Sequence, residues 1–163
     1  MMKKVMGLIL LGASLLAACQ PAGSVAQSGG AKIALKVVAA ETFLADIAQN
    51  VAGDRVKIES LMPIGVDPHG FEPTPTDVAK ITDSQVLIIN GAGFEAFLDE
   101  LLKNAGGPST GGQRTVIEAA AGLPQREPKE GEHAEEHDAE HEGDPHFWLD
   151  PNNVIKYVEN IRD

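Results

Sequence analysis

Val86-Leu87-Ile88-Ile89, the adjoining Asn90-Gly91-Ala92-Gly93 and the stretch from Phe94 to Asn104 decide the fold. Four apolar residues in a row read as a strand covered on both faces, because a strand with one wet face alternates. Gly91-Ala92-Gly93 breaks the run. Phe94, Phe97, Leu98, Leu101 and Leu102 then fall on one stripe of an amphipathic helix spanning Phe94 to Asn104. A buried strand feeding a helix is the repeating unit of a parallel sheet.

The same unit recurs outward in both directions. Leu35 to Ala40 reads as a first strand, and Glu41 to Ala52 as a helix with Phe43, Leu44, Ile47, Ala48 and Val51 at helical spacing. Gly53 is its stop. Val56 to Leu61 alternates as a short second strand, and Met62 to Pro75, with four prolines and two glycines, is a loop. Thr76 is expected to cap a helix running through Asp83, with Val78, Ala79 and Ile81 on its buried side. Arg114 to Ile117 reads as a fourth strand and Asn152 to Asp163 as a last helix. The expected fold class is α/β, a parallel sheet flanked by helices. Ligands of such sheets bind beyond the carboxyl ends of the strands, where the loops after the second strand and after residue 118 emerge.

Gly91-x-Gly93 follows a strand and precedes a helix, as a dinucleotide fingerprint does, and Glu118 lies near the distance of a ribose-binding acid. The third glycine of the strict pattern is Ala96, and the motif follows the third strand instead of opening the domain. Gly91 and Gly93 are therefore read as turn residues. No GxxxxGK[ST] phosphate loop is present.

Composition narrows the class. Of 163 residues, 43% are hydrophobic and 23% charged, which suits one globular domain with a core. A net charge of −11 argues against nucleic acid as a partner, since phosphate binding needs a basic patch. The single cysteine, Cys19, forms neither an internal disulfide nor a CxxC site.

Residues 1–18 read as a signal peptide. Lys3 and Lys4 precede an apolar run from Val5 to Ala18, too short for a spanning helix of about 20 residues. The run ends Leu16-Ala17-Ala18-Cys19 and resembles the lipobox of bacterial lipoproteins, which implies cleavage before Cys19 and a lipid anchor on it. An ordinary signal peptide with an incidental cysteine is the alternative. Residues 19–33, rich in Gly, Ser and Gln, are expected to form a flexible tether. Loss of Lys3 and Lys4 lowers the basic count from 13 to 11 against 24 acidic residues, so the mature chain carries −13.

Three places carry candidate chemistry. In Asp67-Pro68-His69-Gly70-Phe71-Glu72-Pro73, prolines stiffen the loop on both sides of the histidine and Gly70 lets the backbone bend. A restrained imidazole loses little freedom on binding a metal. Asp144-Pro145-His146-Phe147-Trp148-Leu149-Asp150-Pro151 repeats the Asp-Pro-His pattern and holds the only tryptophan. Two unrelated turns are the plain alternative, because Asp-Pro commonly starts a turn. Between them, Glu127 to Asp144 places His133, His137 and His141 among nine carboxylates, with Lys129 the one base. Such a run repels itself, is expected to be disordered, and suits weak, adaptable metal binding. A solvated acidic loop without a role is the alternative.

Imidazole and carboxylate ligands suit zinc, manganese and nickel. A catalytic zinc keeps an open position beside a general base, and this sequence has no HExxH pair and no nucleophile elbow. A carrier that draws its ligands from separate loops fits better than an enzyme.

The lipobox, the parallel α/β pattern, Asp67-Pro68-His69 with its flanks, the Val86 to Leu102 strand and helix, the acidic histidine-rich insert and the Asp144 to Pro151 motif occur in that order. The whole resembles the metal-binding receptor lipoproteins of zinc and manganese ABC importers. That resemblance implies a two-lobed receptor with the metal between its α/β lobes, of which this chain is the N-terminal lobe over residues 34–151, insert 127–144 included. It implies that His69 and His146 are metal ligands, with His133, His137 and His141 on an auxiliary loop. It also implies an ABC importer permease as partner and an extracytoplasmic, lipid-anchored location. The insert points to Zn(II) as cargo, with Mn(II) the alternative. Members of the family have a second lobe supplying further ligands, including a carboxylate. No histidine follows His146, and the chain stops inside the helix expected over residues 152–163, so a piece of a longer receptor is the expectation. A metal-storage or adhesin-like surface lipoprotein and, more remotely, a metal-dependent hydrolase are the other classes.

Overall fold

Residues Val86–Ile89, here named β3, are an interior strand, as their apolar run predicts. The other strands are β1 (Val37–Ala39), β2 (Ile58–Ser60) and β4 (Thr115–Glu118). All pair in parallel in the order β2-β1-β3-β4, with Val37 opposite both Ile58 and Val86, and Val86 opposite Thr115. The computed structural model describes residues 34–105, 108, 111–126 and 143–163. Residues 1–33, expected to form a signal peptide and a tether joined at Cys19, lie outside the described residues, as do His133, His137 and His141.

Successive side chains of a strand point to opposite faces, so β3 feeds two cores. Ile88 joins Val37, Ala39, Leu44, Ala48, Phe147 and Tyr157 on one side. Leu87 joins Val38, Leu61, Ile81, Leu98 and Leu101 on the other. Helices α1 (Thr42–Ala52) and α4 (Pro151–Arg162) cover the first face, and α2 (Pro75–Asp83) and α3 (Ala96–Ala105) the second. This is a three-layer α/β sandwich whose strand order reverses direction between β1 and β3, the switch point where such sheets open a crevice. No helix among the described residues is long and apolar enough to cross a membrane.

Most element boundaries shift by a residue or two from the sequence reading, and three of the helix starts are instructive. The cap of α2 is Thr74, not Thr76. Its hydroxyl accepts from the Asp77 N–H and the Asp77 carboxylate accepts in return from the Thr74 N–H, a capping box with Pro75 at the first helical position. Helix α3 starts at Ala96, so Phe94 lies in the preceding turn. Gly91, Ala92 and Gly93 all have positive φ, and Glu95 folds back to accept from the N–H groups of Asn90 and Gly91. Helix α4 begins at Pro151 with Asp150 as its cap, accepting from the Asn152 N–H at 2.9 Å. Gly53 stops α1 as expected, at φ 58°.

A candidate metal centre at the carboxyl edge of the sheet

Both Asp-Pro-His motifs fold by the same local rule. The aspartate side chain accepts a hydrogen bond from the histidine N–H two residues on, from His69 to Asp67 Oδ1 at 3.0 Å and from His146 to Asp144 Oδ1 at 3.0 Å. An Asx-type turn followed by a proline with fixed φ leaves few conformations open. Each motif closes into a single 3-10 turn, Pro68–Gly70 in the first and Phe147–Leu149 in the second. The first follows β2 and the second follows β4, so the two turns meet over the carboxyl ends of the strands.

There the imidazoles face one another, with His69 Nε2 and His146 Nε2 3.3 Å apart. Two nitrogen ligands of one tetrahedral zinc, each at about 2.0–2.1 Å, stand about 3.3–3.4 Å apart. The pair thus has the bite of a metal chelate. His146 Nδ1 lies 2.7 Å from Asp144 Oδ1. A carboxylate only accepts, so Nδ1–H donates and Nε2 is left with a lone pair aimed at His69. Burial pushes the Asp144 carboxyl up, but the hydrogen bonds it accepts from the His146 main chain and ring, with Arg126 behind them, hold it below the ordinary carboxylate value. Arg126 Nη2 sits 3.2 Å from Asp144 Oδ2.

The wall of the site is aromatic. The ring of Phe94 meets His69 and His146 edge-on, each at 5.4 Å between centroids. Trp148 packs at 4.9 Å from Phe94 and 5.2 Å from His146, and stacks on Phe43 at 4.3 Å. Sequence reasoning placed Phe94 in a helix stripe. Its displacement into the Gly91–Gly93 turn is what brings the ring against the histidines.

Behind Phe94 lies a buried polar network that the sequence reading did not single out. Glu41, Asn90, Glu95 and Tyr157 are each at most 5% exposed. Two main-chain N–H groups solvate the Glu95 carboxylate, whereas neither carboxyl oxygen of Glu41 has a hydrogen-bond partner among the described residues' bonds. Burial first, then the neighbouring Glu95 charge, push the Glu41 carboxyl up to about 10. Burial also raises Glu95, against the Asn90 and Gly91 amides. Of the two, Glu41 keeps the proton and Glu95 carries the charge. The Gly91 amide, at the head of the Gly91-x-Gly93 turn, thereby already serves Glu95. Gly91 itself is required by φ 81° and by Glu118, whose Cβ lies 3.2 Å from where a side chain would begin. Glu41 is the cap residue of α1 yet makes no side-chain capping bond, and nothing in the local sequence marks it for burial.

The ends of the acidic insert are pinned beside the site. Arg126 and Asp144 pair as an antiparallel bridge, with the Asp144 N–H on the Arg126 carbonyl at 3.1 Å. A Cβ on Gly143 would stand 2.6 Å from Gln125 Cβ and 3.2 Å from the Arg126 oxygen, so the close approach needs glycine. Among the described residues no group of three or more His, Cys, Asp or Glu is arranged to hold a metal. The described site therefore offers two nitrogen ligands.

Comparison with known proteins gives the setting. The chain is 38% identical over 129 residues to the manganese-binding lipoprotein MntA of Halalkalibacterium halodurans, covering 79% of this chain and 38% of that protein. It is 34% identical to the metal ABC transporter substrate-binding lipoprotein FimA of Streptococcus parasanguinis, covering 98% of this chain and 50% of that one. The chain thus spans half or less of the length of these relatives. Zn(II)-bound AdcA from Streptococcus pneumoniae superposes with a TM-score of 0.64 at 29% identity, covering 80% of this chain and 25% of that chain. The Mn-bound periplasmic metal binding protein of Candidatus Liberibacter asiaticus gives 0.64 at 26%, covering 78% of this chain and 43% of that chain. The family model for the periplasmic zinc-uptake complex component A, ZnuA, matches residues 37–163, and the chain belongs to that family.

Proposed function

We propose that this chain is the metal-capturing part of an extracytoplasmic receptor that binds Zn(II), or alternatively Mn(II), and delivers it to the permease of an ABC importer. The observation that carries the reading is the 3.3 Å separation of the two Nε2 atoms, with a carboxylate on the far nitrogen of one ring. His69 and His146 are the first two ligands, and the remaining coordination comes from groups outside the described residues or from water. Family membership supports the transport role, and names such as manganese-binding lipoprotein support the choice of cargo. On this reading Cys19 holds the lipid anchor, and His133, His137 and His141 form an auxiliary loop that gathers metal loosely, entered at Arg126 and left at Asp144. The receptor binds and releases its ion unchanged and has no catalytic residue.

The test is transport. The chain is fused to the C-terminal half of a full-length relative and expressed in a bacterium deleted for its own receptor. Uptake of radiolabelled zinc is expected to return, and to be lost with His69→Ala or His146→Ala. Equal uptake by the fusion and both variants would contradict the reading.

A further inference from the structure

We propose that Asn90 is a positioning residue for the histidine pair: it ties Pro145, and so His146, to the end of β3, and Tyr157 fixes its orientation. The inference rests on reading His69 and His146 as metal ligands.

Asn90 and Tyr157 are both fully buried. The Asn90 Nδ2 group donates to the Pro145 carbonyl at 3.1 Å and to the Gly91 carbonyl at 3.0 Å. Both amide protons are thereby used. The Tyr157 hydroxyl donates to Asn90 Oδ1. An asparagine with two carbonyls on its nitrogen and a hydroxyl on its oxygen has only one orientation open to it. These bonds join positions 55 and 67 residues apart, so they are tertiary ties and not local capping.

Proline makes this tie matter. Pro145 has no N–H, so its carbonyl is the one main-chain group by which the residue before His146 can be held. That carbonyl accepts twice, from the Phe147 N–H of its own turn at 2.9 Å and from Asn90. The first bond shapes the turn, and the second fixes the turn to the sheet. His69 rides on a separate loop after β2. The two imidazoles keep their mutual distance only if both loops are referred to one rigid frame, and Asn90 directly follows β3, an interior strand of that frame. Metal–ligand distances tolerate about 0.2 Å, so a small drift of Pro145 spoils the pair.

The experiment uses the full chain, with Zn(II) as probe in competition with a chromophoric chelator. Binding lost in a His69→Ala/His146→Ala chain is assigned to the pair, which separates it from zinc held elsewhere. Tyr157→Phe and Asn90→Ala are each expected to weaken the pair's zinc affinity about tenfold, the low end for outer-shell losses. Because Tyr157 acts through Asn90, the double variant is expected to be no weaker than Asn90→Ala alone. Ile161→Val, a core change on the same helix, is the control: it lowers the melting temperature and leaves the affinity unchanged where the chain is fully folded. Unchanged affinity in Tyr157→Phe, or additive losses in the double variant, would overturn the proposal. If Asn90→Ala does not fold, Tyr157→Phe decides alone. Wild-type zinc binding by the His69→Ala/His146→Ala chain would instead remove the reading of the pair itself, and the positioning role with it.

Discussion

The Nε2 atoms of His69 and His146 stand 3.3 Å apart although 77 residues separate them in the chain. Two turns of the same sequence pattern, each preset by an aspartate and a proline, bring them there. Such preorganisation lowers the entropy lost on binding an ion. The same geometry makes the surroundings of the pair measurable.

Trp148 is the only tryptophan, and its ring lies 5.2 Å from that of His146. Zinc at the pair is expected to change its emission. A fluorescence titration checks this. The change is expected to vanish in His146→Ala; a full response in that variant would locate the quenching ion elsewhere.

The buried Glu41 gives a pH signature. Its folded-state value of about 10 lies above the ordinary 4.5, so between those values the folded chain holds one proton more than the unfolded chain. Its contribution is fully present below about pH 4.5 and is lost as pH rises toward 10, at up to about 1.4 kcal/mol per pH unit. Glu41→Gln has no proton to lose. Urea unfolding of metal-free chains between pH 6 and 8 is expected to show the variant gaining on the wild type as pH rises. Parallel curves would show that Glu41 is ionised in the fold.

Thr74 and Thr76 separate the capping assignments. Thr74→Ala removes half of the capping box and is expected to cost about 1 kcal/mol in denaturant unfolding. Thr76 is exposed, and Thr76→Ala is expected to stay within about 0.5 kcal/mol. The reverse order would return the cap to Thr76.

What the sequence disclosed follows from the range of the interactions involved. The parallel sheet was legible because Val86–Ile89 is apolar on both faces, and burial on both faces is a property of the strand alone. The two histidines were legible because Asp-Pro-His presets its own turn. The cap was misplaced within Thr74-Pro75-Thr76-Asp77, where two threonines compete. A threonine three residues before Asp77, with proline between, was the better local signal. The Asn90–Tyr157 bond, the burial of Glu41 and the swing of Phe94 onto the imidazoles depend on how helices pack over the sheet. No local pattern carries them.

The central claim is that His69 and His146 bind one metal ion together. The most direct measurement is an equilibrium zinc titration of the whole chain and of its His69→Ala and His146→Ala variants, read by chelator competition. Each variant is expected to bind one zinc fewer than the wild type, and the double variant no fewer than either single one. Unchanged stoichiometry and affinity in both single variants would contradict the claim, and place the metal away from the two Asp-Pro-His turns.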